Sequence, residues 1–214
     1  EAIRSWFKNN GQGLLEMATG TGKTITALSA ISKLYESIGR LGVIIVCPYI
    51  HLVDQWVEDM KMFNMFPVIA YGSNNWEEHL SDQISLFKTG ISDHFSVIMT
   101  NDTFVLERMQ NQLKKLGDDA VFIADEAHHL GAEKIRSKLI QSIPYRLALS
   151  ATPNRWYDDI GTEKMLSYFG NKVVFEFGLD KAIGKYLTEY FYFPHLVYLD
   201  EDESHEYYEL TRKL

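Results

Sequence analysis

The hydrophobic pattern switches repeatedly between two periods along the chain. Short apolar runs occur at 13–16, 43–47, 67–71, 96–100, 120–124 and 145–149. Between them, apolar residues recur at helical spacing over 23–37, 51–63, 76–88 and 103–116. In 51–63 the residues Leu52, Trp56, Val57 and Met60 share one face, and Asp102 is the predicted N-cap of 103–116. Gly39, Gly42, the stretch Gly72-Ser73-Asn74-Asn75 and the turn Gly117-Asp118-Asp119 punctuate the pattern. The runs are too apolar for a sheet wetted on one face. They predict an α/β fold with a mostly parallel sheet covered by helices on both sides. After Pro153 the character changes: 172–177 alternates like an edge strand, 180–187 reads as a short helix, 190–198 is aromatic and extended, and 202–213 is helical. Residues 1–7 already read as a helix in progress, so the chain is expected to be a piece of something longer.

One stretch organises the rest. Met17-Ala18-Thr19-Gly20-Thr21-Gly22-Lys23-Thr24 lies between the first apolar run and the helix at 23–37, the strand–loop–helix setting of a phosphate-binding loop. Gly20 and Gly22 let the backbone turn so that successive N–H groups face inward around phosphates. The helix that follows adds the positive end of its dipole. Lys23 reaches the β- and γ-phosphates, and the Thr24 hydroxyl is placed to ligate Mg²⁺. The general pattern G-x-x-x-x-G-K-[ST] would put glycine where Met17 stands. The blander reading is a glycine-rich turn that caps a helix and binds nothing.

Two downstream stretches weigh against it. Asp125-Glu126-Ala127-His128 follows the apolar run 120–124, where a carboxylate can hold nucleotide-bound Mg²⁺ and its neighbour Glu126 can deprotonate a water. Ser150-Ala151-Thr152 ends the next run, with hydroxyls able to bond to His128 and sense the nucleotide. A water-activating glutamate beside the metal ligand favours hydrolysis over a small-molecule kinase. A catalytically silent interaction module is a more distant alternative, because Lys23, Thr24, Asp125 and Glu126 are all present.

Composition narrows the picture further. The chain has 214 residues, 46% of them apolar, enough for a sizeable core. Its net charge of −8 argues against a nucleic-acid domain that works by bulk positive charge, though a local basic strip is compatible with it. Four of the acids cluster at Asp200-Glu201-Asp202-Glu203, which reads as a solvated helix start. The single Cys47, inside an apolar run, rules out an internal disulfide and reads as a buried hydrophobe. With no membrane-length apolar stretch and no signal pattern, the expectation is a soluble, cytoplasmic protein. His128-His129 beside two acids lacks the spacing of a zinc site, and His51, His79, His94, His195 and His205 read as surface residues. Trp56 reads as core rather than as a base-stacking platform; Trp156, after Pro153-Asn154-Arg155, is more exposed by context and open to either role.

In this order and spacing, Ala-Thr-Gly-Thr-Gly-Lys-Thr, Asp-Glu-Ala-His and Ser-Ala-Thr resemble motifs I, II and III of the helicase superfamily 2 motor core, first RecA-like domain. Val46-Cys47-Pro48 with Leu52-Val53-Asp54-Gln55-Trp56 looks like motif Ia. Arg146-Leu147-Ala148-Leu149-Ser150-Ala151-Thr152-Pro153 is similar to XPB-like repair helicases and restriction-enzyme translocases, groups that also dispense with the first glycine. The resemblance implies a P-loop NTPase, RecA-like three-layer fold over 1–178 and a linker at 179–214 toward a second RecA-like domain. It implies that Ala18, Thr19, Gly20, Thr21, Gly22, Lys23 and Thr24 bind ATP, that Thr24 and Asp125 hold Mg²⁺, and that Glu126 activates water with Lys23 and Asp125 as catalytic partners. His128, Ser150 and Thr152 would couple hydrolysis to movement. Nucleic acid, DNA favoured, would run along Pro48, Gly72, Ser73, Thr100 and Asn101, touching phosphate and sugar. The alternative is the motor of a restriction or phage-defence nuclease complex. The adenine-reading glutamine is expected ahead of residue 1.

Overall fold

The computed structural model describes residues 1–72, 75–153, 158–184, 186–189 and 193–212. Strands and helices alternate: α1 (Ala2–Lys8), β1 (Gln12–Met17), α2 (Lys23–Ile38), β2 (Leu41–Cys47), α3 (Ile50–Met62), β3 (Val68–Ala70), α4 (Trp76–Lys88) and β4 (His94–Thr100). They continue as α5 (Asn101–Phe104), α6 (Glu107–Leu113), β5 (Ala120–Ala124), a 3₁₀ turn (Ala127–Gly131), α7 (Glu133–Arg136) and β6 (Tyr145–Ser150). The chain then forms α8 (Asp159–Tyr168), β7 (Val173–Phe177), α9 (Leu179–Ala182) and α10 (Glu201–Thr211).

The strands form one sheet in the order β3-β4-β2-β5-β6-β1-β7, and every pairing is parallel. Two consequences position the site. All strands end on the same edge, so the loops that follow them cluster there. And β5, β6 and β1 are neighbours, which sets the three signature loops side by side although they are far apart in sequence.

Alternating strand residues feed two cores. On one face Val43, Ile45, Val121, Ile123, Leu147 and Leu149 meet Leu28, Ile31, Leu34, Trp56 and Met60 from α2 and α3. On the other, Ile44, Val46, Val97, Met99 and Phe122 meet Leu80, Ile84 and Phe87 from α4, Met109 and Leu113 from α6, and Met165 and Tyr168 from α8. This is the three-layer α/β arrangement expected from the unbroken apolar runs. Cys47 and Trp56 are buried in it, as expected. Arg146 is buried too; its guanidinium donates to the carbonyls of Ile143 and Tyr168 and lies 4.4 Å over the Tyr168 ring. Among the described residues, no helix is long and apolar enough to cross a membrane.

Two local expectations are corrected, and one helix is present that the pattern does not predict. The helix expected over 103–116 is two short ones, and its first cap is Thr100 rather than Asp102: the Thr100 hydroxyl accepts the Thr103 N–H. Leu106 is extended between them (φ −63°, ψ 135°), and the buried Gln110 side chain donates to the Phe104 carbonyl that the break leaves free (2.8 Å). The helix expected over 180–187 stops after Ala182, because Gly184 turns back at φ 78° to donate to the Leu187 carbonyl. And α8, whose apolar residues are too few to make a periodic stripe, has no counterpart in the sequence pattern. The edge strand near 172–177 is present as β7, and α10 starts at Asp200 with a reciprocal capping box to Glu203.

Candidate active site

The phosphate loop leaves β1 at Met17 and enters α2 at Lys23. Gly20 and Gly22 take φ 79° and 87°, a left-handed conformation that glycine adopts without strain, and Gly22 is the N-cap of α2. The Ala18 N–H is tied to the Phe177 carbonyl of β7 (2.9 Å), and the Thr21 hydroxyl donates back to the Ala18 carbonyl (2.6 Å). Thr19, Gly20 and Gly22 are exposed, Ala18 is buried, and Thr21 and Thr24 are half-buried. Met17 is 5% exposed, with its side chain in the core. It is the last residue of the strand, so the position where the general motif has glycine has no tight turn to make here.

The Lys23 ammonium, 10% exposed, donates to the Met17 carbonyl (3.2 Å) and sits 3.8 Å from Glu126 Oε1. Asp125 is anchored at the end of β5 by its own N–H on the Val46 carbonyl of β2. Its carboxylate takes the indole N–H of buried Trp56 at Oδ2 (2.8 Å) and the Glu126 N–H at Oδ1 (3.0 Å). Sequence reasoning counted Trp56 as core only. The signal for more was the indole N–H, a buried donor that needs an acceptor. Burial raises the Glu126 carboxyl above its ordinary range, with nearby Asp125 adding to this and Lys23 opposing it. A carboxyl so placed takes up a proton more readily than a solvated one, as a general base must.

His128 joins the loops. Its Nδ1 lies 3.6 Å from Glu126 Oε2 and 3.3 Å from the hydroxyl of fully buried Ser150, which also accepts the Thr152 N–H (3.2 Å). So Lys23, Asp125, Glu126, His128 and Ser150 come together; Thr152 is attached through its backbone and is exposed. Asp125 and Thr24 offer oxygen donors alone, which suits a hard cation such as Mg²⁺. Beside the loop a cavity of about 270 Å³ is bordered by Met17, Thr21, Thr26, Phe175, Phe177 and Tyr186, walls suited to a planar base. A larger cavity of about 520 Å³ opens near the strand starts of β2 and β4, at the opposite end of the sheet, and none of the signature residues lines it.

The expected nucleic-acid positions are less uniform. Pro48 is half-buried at the end of β2, and Gly72 is exposed in a left-handed turn (φ 64°). Thr100 and Asn101 are each 8% exposed, and the Thr100 hydroxyl is engaged in capping α5. Asn101 Oδ1 has no hydrogen-bond partner among the described residues. Ser73 and Trp156 lie outside the described residues. The five scattered histidines are all exposed, as expected.

A family model described as Type III restriction enzyme, res subunit, matches residues 1–155, from α1 through the Ser-Ala-Thr loop. The chain belongs to this family. The family's matched stretch contains every signature described above. A similar curated protein, DNA 3'-5' translocase XPB2 of Sulfurisphaera tokodaii, is 30% identical over 217 residues, covering 100% of this chain and 43% of the relative. Nuclear protein STH1/NPS1 of Saccharomyces cerevisiae is 27% identical over 161 residues, covering 72% of this chain and 11% of the relative. The chain therefore spans less than half the length of these relatives. Two solved structures share the fold. A nuclease-deletion mutant of the Type ISP restriction-modification enzyme LlaGI in complex with a DNA substrate mimic has a TM-score of 0.63 and 20% identity, covering 85% of this chain and 19% of that one. The Sulfolobus solfataricus SWI2/SNF2 ATPase core in complex with dsDNA has a TM-score of 0.60 and 17% identity, covering 87% and 45%.

Proposed function

We propose that this chain is the ATP-binding half of a nucleic-acid motor, a helicase or a translocase that hydrolyses ATP to move on DNA. The observation that carries the reading is the linked set at the ends of β1, β5 and β6. Lys23 lies 3.8 Å from Glu126, and His128 stands between Glu126 (3.6 Å) and Ser150 (3.3 Å). A lone hydrolase needs the first pair. The extension to Ser150 gives the carboxylate a mechanical connection to a third loop, which is what a motor requires. Residues 18–24 bind the phosphates, with Lys23 facing the β- and γ-phosphates. Glu126 holds the attacking water and takes its proton. Thr24 and Asp125 would hold a Mg²⁺, which would neutralise phosphate charge.

Residues 1–178 form the first RecA-like unit in this reading, and 179–214 lead toward a second. The length of the relatives supports it, as does the strongly exposed apolar strip Leu196, Val197 and Tyr198 ahead of α10, which buries none of its residues. DNA is favoured as the track because two of the similar structures carry DNA or a DNA mimic and XPB2 is named a DNA translocase. An intracellular setting follows from that track. A second reading, the motor of a restriction or phage-defence nuclease complex, is favoured by the description of the matching family and by LlaGI. The test is ATP hydrolysis by the full-length parent, without polymer and then with duplex DNA, single-stranded DNA and RNA at two salt concentrations. Stimulation by one polymer that weakens with salt and disappears in Glu126→Gln is expected. Hydrolysis that ignores every polymer would leave an ATPase and remove the motor.

A further inference from the structure

Tyr49 follows Pro48 at the end of β2 and is 51% exposed, with two histidine rings beside its own. It stacks on His51 at 5.6 Å and 8°, and it meets the His129 ring edge-on at 5.6 Å and 80°. His129 lies 4.4 Å from the His128 ring, and His128 contacts both Glu126 and Ser150. The rings form a continuous row from an exposed strand end to the carboxylate proposed to activate water. Nothing in the phosphate loop or in the Asp-Glu-Ala-His stretch requires an aromatic residue at position 49. Its large, stiff ring fits a part that transmits displacement.

We propose that Tyr49 is a positioning residue that reports occupancy of the Pro48 loop to Glu126 through His129 and His128. This rests on the motor reading and names the regulation of the same site. When a polymer engages the Pro48 loop, a shift of Tyr49 moves the His129 ring, and His128 carries the change to Glu126. Without polymer the row holds Glu126 in its resting position. A base-stacking platform is the competing role for an exposed tyrosine; the His51 ring, parallel at 5.6 Å, takes up part of one face, and a loss of DNA affinity in Tyr49→Ala would mark that role instead.

The test uses the full-length parent with duplex DNA as the probe. Tyr49→Ala should keep basal ATPase, KM for ATP and DNA affinity by fluorescence anisotropy, while DNA stimulation of kcat falls about five- to ten-fold. Tyr49→Phe, which keeps the ring, should restore stimulation. His129→Ala should lose stimulation to the same degree, and the double variant should lose no more than either single. A readout without nucleotide accompanies these: DNA should shift the His129 ring resonances in the wild type and leave them unmoved in Tyr49→Ala. Full stimulation of Tyr49→Ala, additive losses, or weakened DNA affinity with normal kcat at saturating DNA each overturns the proposal. A wild-type parent that hydrolyses ATP and ignores DNA would instead remove the motor reading, and this inference with it.

Discussion

Glu126 adopts φ 44° and ψ 53°, a left-handed conformation that costs a non-glycine residue about 1–3 kcal/mol, and burial raises its carboxyl pKa as well. Both penalties fall on the residue proposed to activate water. Because the base must be deprotonated, the acid limb of the parent's pH–rate profile should lie above the ordinary carboxylate value of 4.5. Glu126→Gln should lower kcat by about 10²–10⁴-fold. The stability effect has the opposite sign. A carboxyl whose folded pKa is raised contributes stability that is full below its unfolded value and lost as pH rises through the folded one. At pH 7 the neutral amide escapes that loss, so Glu126→Gln should raise Tm by about 2–4 °C for each kcal/mol relieved, with the gain shrinking as the pH falls. Melting curves at two pH values check this. Trp56→Phe keeps the ring and removes the donor to Asp125. The Mg²⁺ concentration needed for half-maximal hydrolysis by the parent should rise about 10–100-fold. Lys23, Asp125 and Glu126 were legible because each motif is local in sequence. The Trp56–Asp125 bond was not, because its partners meet only once β2 and β5 are known to be neighbours.

Between single residues and the whole, the elements β1 and β7 approach closely. A Cβ on Gly13 would lie 2.5 Å from a methyl of Val174. Gly13→Ala should therefore push β7 outward at a cost of about 1–3 kcal/mol. The Phe177 carbonyl that holds the Ala18 N–H sits on β7, so nucleotide affinity should fall with it; urea melts and fluorescent-nucleotide titration read the two effects separately. Strand existence was easy to read, since unbroken runs such as Val43 to Cys47 leave few alternatives. Helix breaks were harder. Phe104, Met109 and Leu113 are all buried and nearly periodic, so nothing local marks the break at Leu106. The compensating Gln110 side chain is visible only in three dimensions.

For the molecule as a whole, the loops proposed to bind ATP open on one edge of the sheet, where an arginine from the proposed second RecA-like domain would complete them. The isolated chain should bind nucleotide weakly and hydrolyse it about 10³-fold or more below the DNA-stimulated parent, the order that a supplied arginine contributes in related phosphoryl transfer. Multiple turnover at the parent's rate by purified chain would overturn this. The three-layer fold followed from pattern alone, because a parallel sheet has to be covered on both faces. Thr100 is a buried cap, a role its position after an apolar run does not distinguish from an exposed contact.

Cys47 is fully buried, and burial raises its thiol well above the ordinary value, with Asp125 adding to the effect. It is also the chain's only cysteine. Thiol-directed dyes will therefore leave the native chain almost unlabelled. A cysteine introduced at the exposed Ile91, just ahead of β4 and at the end of the sheet away from the phosphate loop, would be the one reactive handle on this chain. A donor dye placed there could follow by energy transfer how far this chain moves against the second domain proposed to close over it.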